Sequence, residues 1–172
     1  SSDHKKLLLV AARFYRSKLS LDSVAVSYLK ERGISGEIAA KFHIGYAGNS
    51  WNNLKEVFND YDENSDLFHV GLIKKSESGN KVFDRFRNRI IFPIFNKNGE
   101  VIAFGGRTIV DDNNAPKYLN SPETDLFVKS KELYGFFDAQ RFIIKSQFAI
   151  VVEGYFDVIS MHQAGFKILL AL

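Results

Sequence analysis

Cysteine is absent from this chain. That excludes disulfides, cysteine-ligated zinc and a thiol nucleophile, and it accords with a reducing compartment. No apolar run approaches the ~18–20 residues that a bilayer span needs. The opening Ser1-Ser-Asp-His-Lys-Lys6 is followed by no apolar core and small-residue cleavage site, so it does not read as a signal peptide. Histidine is sparse: His43 and His69 stand far apart without paired ligands and read as structural or surface residues. No Ser-His-Asp pattern is present. Proline is scarce too, and two of the three prolines fall in one polar stretch, Asp111–Thr124. These absences lead to the expectation of a cytoplasmic protein with no membrane partner.

What remains is enough for one large domain or two small ones: 172 residues, 45% of them hydrophobic. The net charge of +3 is unevenly spread. Lys74 to Lys117 holds nine Lys or Arg against five Asp or Glu, so this middle alone carries +4. A local basic excess is either a solvated face or the footprint of an anionic partner such as nucleic acid.

Leu8, Ala11, Ala12, Tyr15 and Leu19 recur at helical spacing. Asp22 or Ser23 can cap a second helix that Gly33 stops, Ser35 a third over Ile38–Phe42, and Asn49 or Ser50 a fourth carrying Trp51, Leu54, Val57 and Phe58. Leu67–Val70 makes a last turn. The aromatics of these helices read as core. From Val82 the period changes. Val82–Asn88 alternates as a strand, which would line Arg85, Arg87 and Arg89 along one face. Ile90–Phe95, the turn Asn96-Lys-Asn-Gly99 and Val101–Phe104 form a hairpin. Pro93 places its strand at an edge or a bulge, and Gly105-Gly106 is either a tight turn or bulge or a phosphate cradle. Asp111–Thr124 reads as a long irregular loop.

Phe148–Val152 reads as a strand buried on both faces, ending at Glu153-Gly-Tyr-Phe-Asp157. A helical stretch and the apolar run Ile168–Leu172 follow, giving a β-α-β unit with Glu153 at the strand's C-terminal end, where ligands bind in open α/β sheets. Glu153 and Asp157 either ligate a hard cation or merely end a strand and start a helix. Arg85, Arg87, Arg89, Arg107 and Lys117, with Tyr118, form either a phosphate-contacting track with a stacking ring or the wet face of a sheet. Two parallel strands are not a domain, so the chain is expected to stop inside a fold.

The series Asp84-Arg-Phe-Arg-Asn-Arg-Ile-Ile-Phe-Pro-Ile-Phe95, Asn98-Gly-Glu-Val-Ile-Ala-Phe-Gly-Gly-Arg107, Pro116-Lys-Tyr-Leu-Asn-Ser-Pro-Glu-Thr124, Lys131-Glu-Leu-Tyr-Gly135 and Val151-Val-Glu-Gly-Tyr-Phe-Asp-Val158 resembles the catalytic core of bacterial DnaG-type DNA primases. Glu31-Arg-Gly-Ile34 and Phe42-His-Ile-Gly-Tyr46 are similar to the same family, and the last segment of the series is similar to the opening of a TOPRIM module. The resemblance implies an α+β fold. Residues 1–147 would be the N-terminal subdomain of the core, with helices over 4–71, antiparallel strands over 82–110 and a loop over 111–124. Residues 148–172 would open a Rossmann-like TOPRIM module.

The implied reaction is template-directed synthesis of RNA primers. Arg32, Arg107, Lys117 and Tyr118 would bind template and nucleotide, with Arg85, Arg87 and Arg89 nearby. Glu153 would ligate Mg²⁺ or Mn²⁺, supported by Asp157. The implied partners are single-stranded DNA, ribonucleoside triphosphates, the RNA primer and, through a missing C-terminal region, the replicative helicase, at the bacterial nucleoid or replisome. Zinc belongs to an N-terminal module that a chain without cysteine lacks. The piece alone would lack a complete metal site and make no primers. Two other readings stand beside this one: a basic single-stranded nucleic-acid-binding module, and another TOPRIM protein such as a phage primase–helicase or a nuclease.

Overall fold

The computed structural model describes residues 1–167 and the backbone of 169–171; Ile168 and Leu172, the ends of the second apolar run, lie outside the described residues. The fold is α+β. Helix α1 spans Ser2–Leu19, six residues earlier than the apolar spacing starts at Leu8, because the Ser1 hydroxyl accepts the His4 N–H and Asp3 sits in the first turn. Helix α2 (Ser23–Glu31) starts at Asp22, whose carboxylate accepts the Ala25 N–H at 2.8 Å. Helix α3 (Gly36–Lys41) starts at Ser35, whose hydroxyl accepts from Ile38 at 3.2 Å. Both caps are the expected ones.

The expected fourth helix is only a 3₁₀ turn, Asn53–Glu56. The Leu54 N–H is drawn to a carboxylate oxygen of Asp84 at 3.3 Å, so the segment's few turn bonds are supplemented from another element and do not extend into a helix. Helix α4 covers Ser65–His69. Between these helices lies strand β1 (Gly45–Ala47), hidden from a periodicity reading because it is three residues long and buried throughout. At Gly45 a Cβ would come within 2.6 Å of the Tyr15 backbone, so the glycine lets α1 lie directly on the strand.

Strands β2 (Ile73–Lys75) and β3 (Val82–Asp84) form a hairpin. Strands β4 (Arg89–Phe95), β5 (Val101–Thr108) and β6 (Tyr118–Asn120) join β1 in a four-stranded antiparallel sheet of order β1-β4-β5-β6. Pro93 fits inside β4 because β1 opposes only Arg89–Ile91, and a register shift follows at Ile94/Phe95. The loop expected over 111–124 is interrupted by β6. Helix α5 (Phe136–Ser146) leads to β7 (Ile150–Val152), helix α6 (Tyr155–Gln163) and the parallel strand β8 (Leu169–Ala171). The β-α-β unit is therefore present. Its first strand is not buried on both faces: Ile150 and Val152 turn toward the core while Val151 is 54% exposed. No described helix is long and apolar enough to cross a membrane.

The sheet divides two cores. One face packs Ile91 and Phe104 against Leu8 and Tyr15 of α1, with Phe86 and Tyr61. The other packs Ile90, Phe92 and Ile94 against Leu29, Phe42, Tyr134 and, from α6, Val158 and Ile159. Each such side chain contributes about 1.5–3 kcal/mol.

Asp84 is buried in the first core at 2% exposure, with no cation paired to it among the described residues. Tyr61 Oη donates to Asp84 Oδ1 at 2.7 Å. Burial nonetheless pushes the Asp84 pKa up from 3.8 to about 6. The folded carboxyl then binds a proton that the unfolded one releases between those values, so this group's stabilisation is present at low pH and lost as pH rises from about 4 to about 6. Asp84→Asn is expected to remove that slope, the wild type losing about 2–3 kcal/mol relative to the variant across the window. Chemical denaturation of both proteins at pH 4 and pH 7 checks it; parallel profiles would show that the charge is not the cause.

Candidate nucleic-acid interface

Antiparallel pairing brings four chain segments to one end of the sheet. Ala47 opposes Arg89, Arg89 opposes Thr108, and Arg107 opposes Tyr118. Beyond that edge, the Gly48 carbonyl accepts from Asn88, the Asn88 carbonyl from Ile109, and the Lys117 carbonyl from Thr108.

The arginines expected to share one strand face do not. Strand β3 ends at Asp84, and Asn88 takes φ +51, which breaks the alternation. Each guanidinium instead clamps backbone. Arg85 donates twice to the Asn120 carbonyl, at 3.0 and 2.7 Å. Arg87 donates to the Asn49 carbonyl at 2.6 Å and lies 3.6 Å from the centre of the Trp51 ring. Arg89, only 4% exposed, donates to the carbonyls of Gly106 (3.3 Å), Lys117 (3.1 Å) and Pro116 (2.7 Å). Burial and the neighbouring Arg107 charge lower its pKa. These donors fix the stretch that carries Lys117 and Tyr118 to the sheet.

That stretch presents the free groups. Lys117 is exposed and has no ion pair among the described residues. Tyr118 is 45% exposed, with the Arg107 guanidinium 5.3 Å from its ring centre. Arg107 Nη1 donates to the Thr108 carbonyl at 3.0 Å, while its buried Nε has no partner among the described residues. A cation, a half-stacked guanidinium and an open aromatic face thus stand side by side, an arrangement suited to phosphate and base.

Glu153 reaches this edge through its neighbour Tyr155. The Tyr155 ring stacks on Phe92 (4.9 Å, 10° between planes), meets Tyr134 edge-on at 4.8 Å, and sends its hydroxyl to Asn120 Oδ1. Its pKa is raised by burial. The ring lies over Gly105, where a Cβ would collide with it, and a Cβ on Gly106 would come within 2.9 Å of Arg89 and Phe86. The glycine doublet, paired in register on both sides, is therefore neither a turn, a bulge nor a phosphate cradle. It is mid-strand, kept small so that Tyr155 can close on one face and Phe86 on the other.

Glu153 itself is exposed at the C-terminal end of β7. Asp157 is also exposed, and its Oδ2 accepts the Gly154 N–H at 3.1 Å, capping α6. Arg32 stands at the end of α2, 4.7 Å from the rings of both Tyr28 and Phe156, on the α6 side of the site. Among the described residues no three carboxylate or imidazole groups cluster to hold a metal. The residues fit one free donor of a divalent-cation site, not a complete site.

Three participants were not singled out from the sequence: Tyr155, Asn120 and Trp51. The adjacent glycines inside an apolar run were the available signal for the close approach of Tyr155. Trp51, expected in the core, is 60% exposed, because its segment turns rather than forming a helix.

Residues 14–140 match the profile of the DNA primase catalytic core, N-terminal domain. A DNA primase of Legionella pneumophila is 47% identical over 160 residues, covering 92% of this chain and 27% of its own length. Among solved structures, the DnaG primase catalytic domain bound to ssDNA superposes with a TM-score of 0.88 at 40% identity, over 98% of this chain and 54% of that one. The Aquifex aeolicus primase (zinc-binding and RNA polymerase domains) gives 0.89 at 36% identity, over 99% and 42%. The chain thus spans about a quarter of the curated relative and about half of these solved chains.

The glycine–tyrosine contact makes a specific prediction. Gly105→Ala should destabilise the fold by about 1–3 kcal/mol through overpacking. Added to Tyr155→Ala it should cost much less, since the ring it strikes is gone. Urea midpoints of the two single variants and the double variant measure the coupling; additive losses would contradict the contact.

Proposed function

Because this chain belongs to the family of DNA primase catalytic cores, N-terminal domain, we propose that it is the template- and nucleotide-holding part of a DnaG-type primase, which makes short RNA primers on single-stranded DNA. The observation that carries the reading is the meeting of Arg107, Lys117 and Tyr118 at one sheet end, with Glu153 tied to the same edge through Tyr155. The relatives named DNA primase and the neighbour solved with ssDNA support it.

In this reading Lys117 and Arg107 contact backbone phosphates, and Tyr118 stacks on a base or ribose. Arg32, held on two aromatic rings, offers a further cation beside α6. Arg85, Arg87 and Arg89 serve the site by clamping the backbone that presents these groups. The reaction joins a primer 3′-hydroxyl to the α-phosphate of a ribonucleoside triphosphate, and pyrophosphate leaves. Mg²⁺ or Mn²⁺, when bound, neutralises charge developing on the phosphoryl oxygens. Glu153 contributes one carboxylate to holding it, and Asp157 keeps the Glu153–Gly154 turn in place. Residues 148–172 open the TOPRIM module, and zinc belongs to a separate module. The complete protein works in the cytoplasm at the replisome with the replicative helicase.

Single-stranded DNA binding across a salt series tests the track. Arg107→Ala with Lys117→Ala should weaken binding for all sequences alike and flatten the dependence of log K on log salt by about 1.4 units, at roughly 0.7 for each phosphate left unneutralised. Glu153→Gln should leave the slope unchanged. An unaltered slope in the double variant would remove both residues from the phosphate track.

A further inference from the structure

A second basic feature lies at the opposite end of the sheet. It is a groove of about 590 Å³ between α1 and the β4–β5 turn. The interface sits at the Arg89 and Thr108 ends of these strands and the groove at their Phe95 and Val101 ends, roughly 20 Å away at about 3.3 Å per residue. None of the residues assigned above lines it.

The groove combines apolar and mostly cationic lining residues. Leu9, Ala12 and Phe95 are its apolar lining, Leu9 being exposed. Lys6, Arg13 and Arg16 line one side, all on one face of α1 and all exposed. Like charges three and seven residues apart on a helix repel one another. One carboxylate, Glu100, also lines the groove, and Lys5, another lining residue, neutralises it at 3.1 Å. Lys6 has only an exposed contact with Asp3 at 3.8 Å, and Arg13 has no ion pair among the described residues. Arg16 Nη1 donates to His43 Nδ1 at 2.9 Å, which orients the guanidinium. Burial and Arg16 lower the His43 pKa, so that ring accepts as a neutral imidazole. The His43 and Phe95 rings stand 5.4 Å apart and give the groove an aromatic wall.

A groove of this volume, with apolar side chains beside convergent charges, has the dimensions of a small-ligand site. Three cations without a close partner carboxylate call for a multiply charged anion, and the aromatic and aliphatic lining calls for a flat, weakly polar group joined to it. We propose that this groove binds a nucleoside triphosphate, its base against Phe95 and Leu9 and its phosphates along Lys6, Arg13 and Arg16, as a second nucleotide apart from any held at the interface.

The test is a titration of the ¹⁵N-labelled 172-residue protein with ATP, without divalent cation, followed by amide chemical shifts. The expected result is saturable shifts at Leu9, Ala12, Phe95, Gly99 and Val101. Lys6→Ala with Arg13→Ala should weaken binding about tenfold, and Lys6→Glu with Arg13→Glu should abolish it; these side chains are exposed, so an unchanged remaining spectrum verifies the fold. Adenosine and inorganic triphosphate should each bind at least about tenfold more weakly than ATP, since each lacks half of the matching chemistry. No groove shifts at millimolar ATP, or shifts confined to Arg107–Tyr118, would overturn the proposal while leaving the interface reading intact. Tighter binding of a single-stranded oligonucleotide than of ATP at these amides would overturn it in favour of a strand-binding groove.

Discussion

One ring closing over one missing side chain organises this molecule. Tyr155 enters the sheet face at Gly105, stacks on Phe92 and bonds Asn120. Ile150, Val152, Val158 and Ile159 already pack the parallel unit onto the sheet; the Tyr155 contact adds a polar tie at the end of the sheet, on the strand that carries Tyr118. With it, the turn that follows Glu153 is tied to Asn120, two residues from Tyr118. The hydrophobic gain is ordinary for an aromatic pair, about 0.5–1.5 kcal/mol beyond the area buried. Its consequence is positional: the tyrosine is two residues from Glu153, and its hydrogen-bond partner is two residues from Tyr118.

The basic middle of the chain divides its labour. Charge counting puts Arg85, Arg87, Arg89, Arg107 and Lys117 in one class, but the structure separates them. A buried guanidinium is costly unless its planar fork is satisfied, and Arg89 answers that with three backbone carbonyls. Lysine could not reach the same fork of acceptors. Arg85 and Arg87 do the same for β6 and for the turn before Trp51. Lys117 and Tyr118 remain open because their backbone is held by others, which is how preorganised binding edges limit the ordering cost of a ligand.

Much of this was legible in the sequence. The caps at Asp22 and Ser35, the hairpin from β4 to β5 and the β-α-β unit follow from local rules, because their determinants are neighbours in sequence. Strand β1 was not legible: three buried residues carry no period, and what makes them a strand is pairing with Arg89–Ile91 more than forty residues away. The arginine face failed for a related reason, since Asn88 adopts a left-handed conformation that no alternation rule foresees. The Lys117–Tyr118 pair and Glu153 could be named from their motifs. That Gly105 and Tyr155 join them could not, because it depends on which face of the sheet α6 covers.

The most direct measurement is a nuclear Overhauser experiment on the labelled protein, reading the Gly105 α-protons against the Tyr155 ring protons. The account predicts a strong cross-peak, persisting when single-stranded DNA is added, because the contact is part of the fold and not of the ligand's grip. A folded sample with no such cross-peak would contradict it: Tyr155 would then not close on Gly105, and the glycine would have no packing reason to be there.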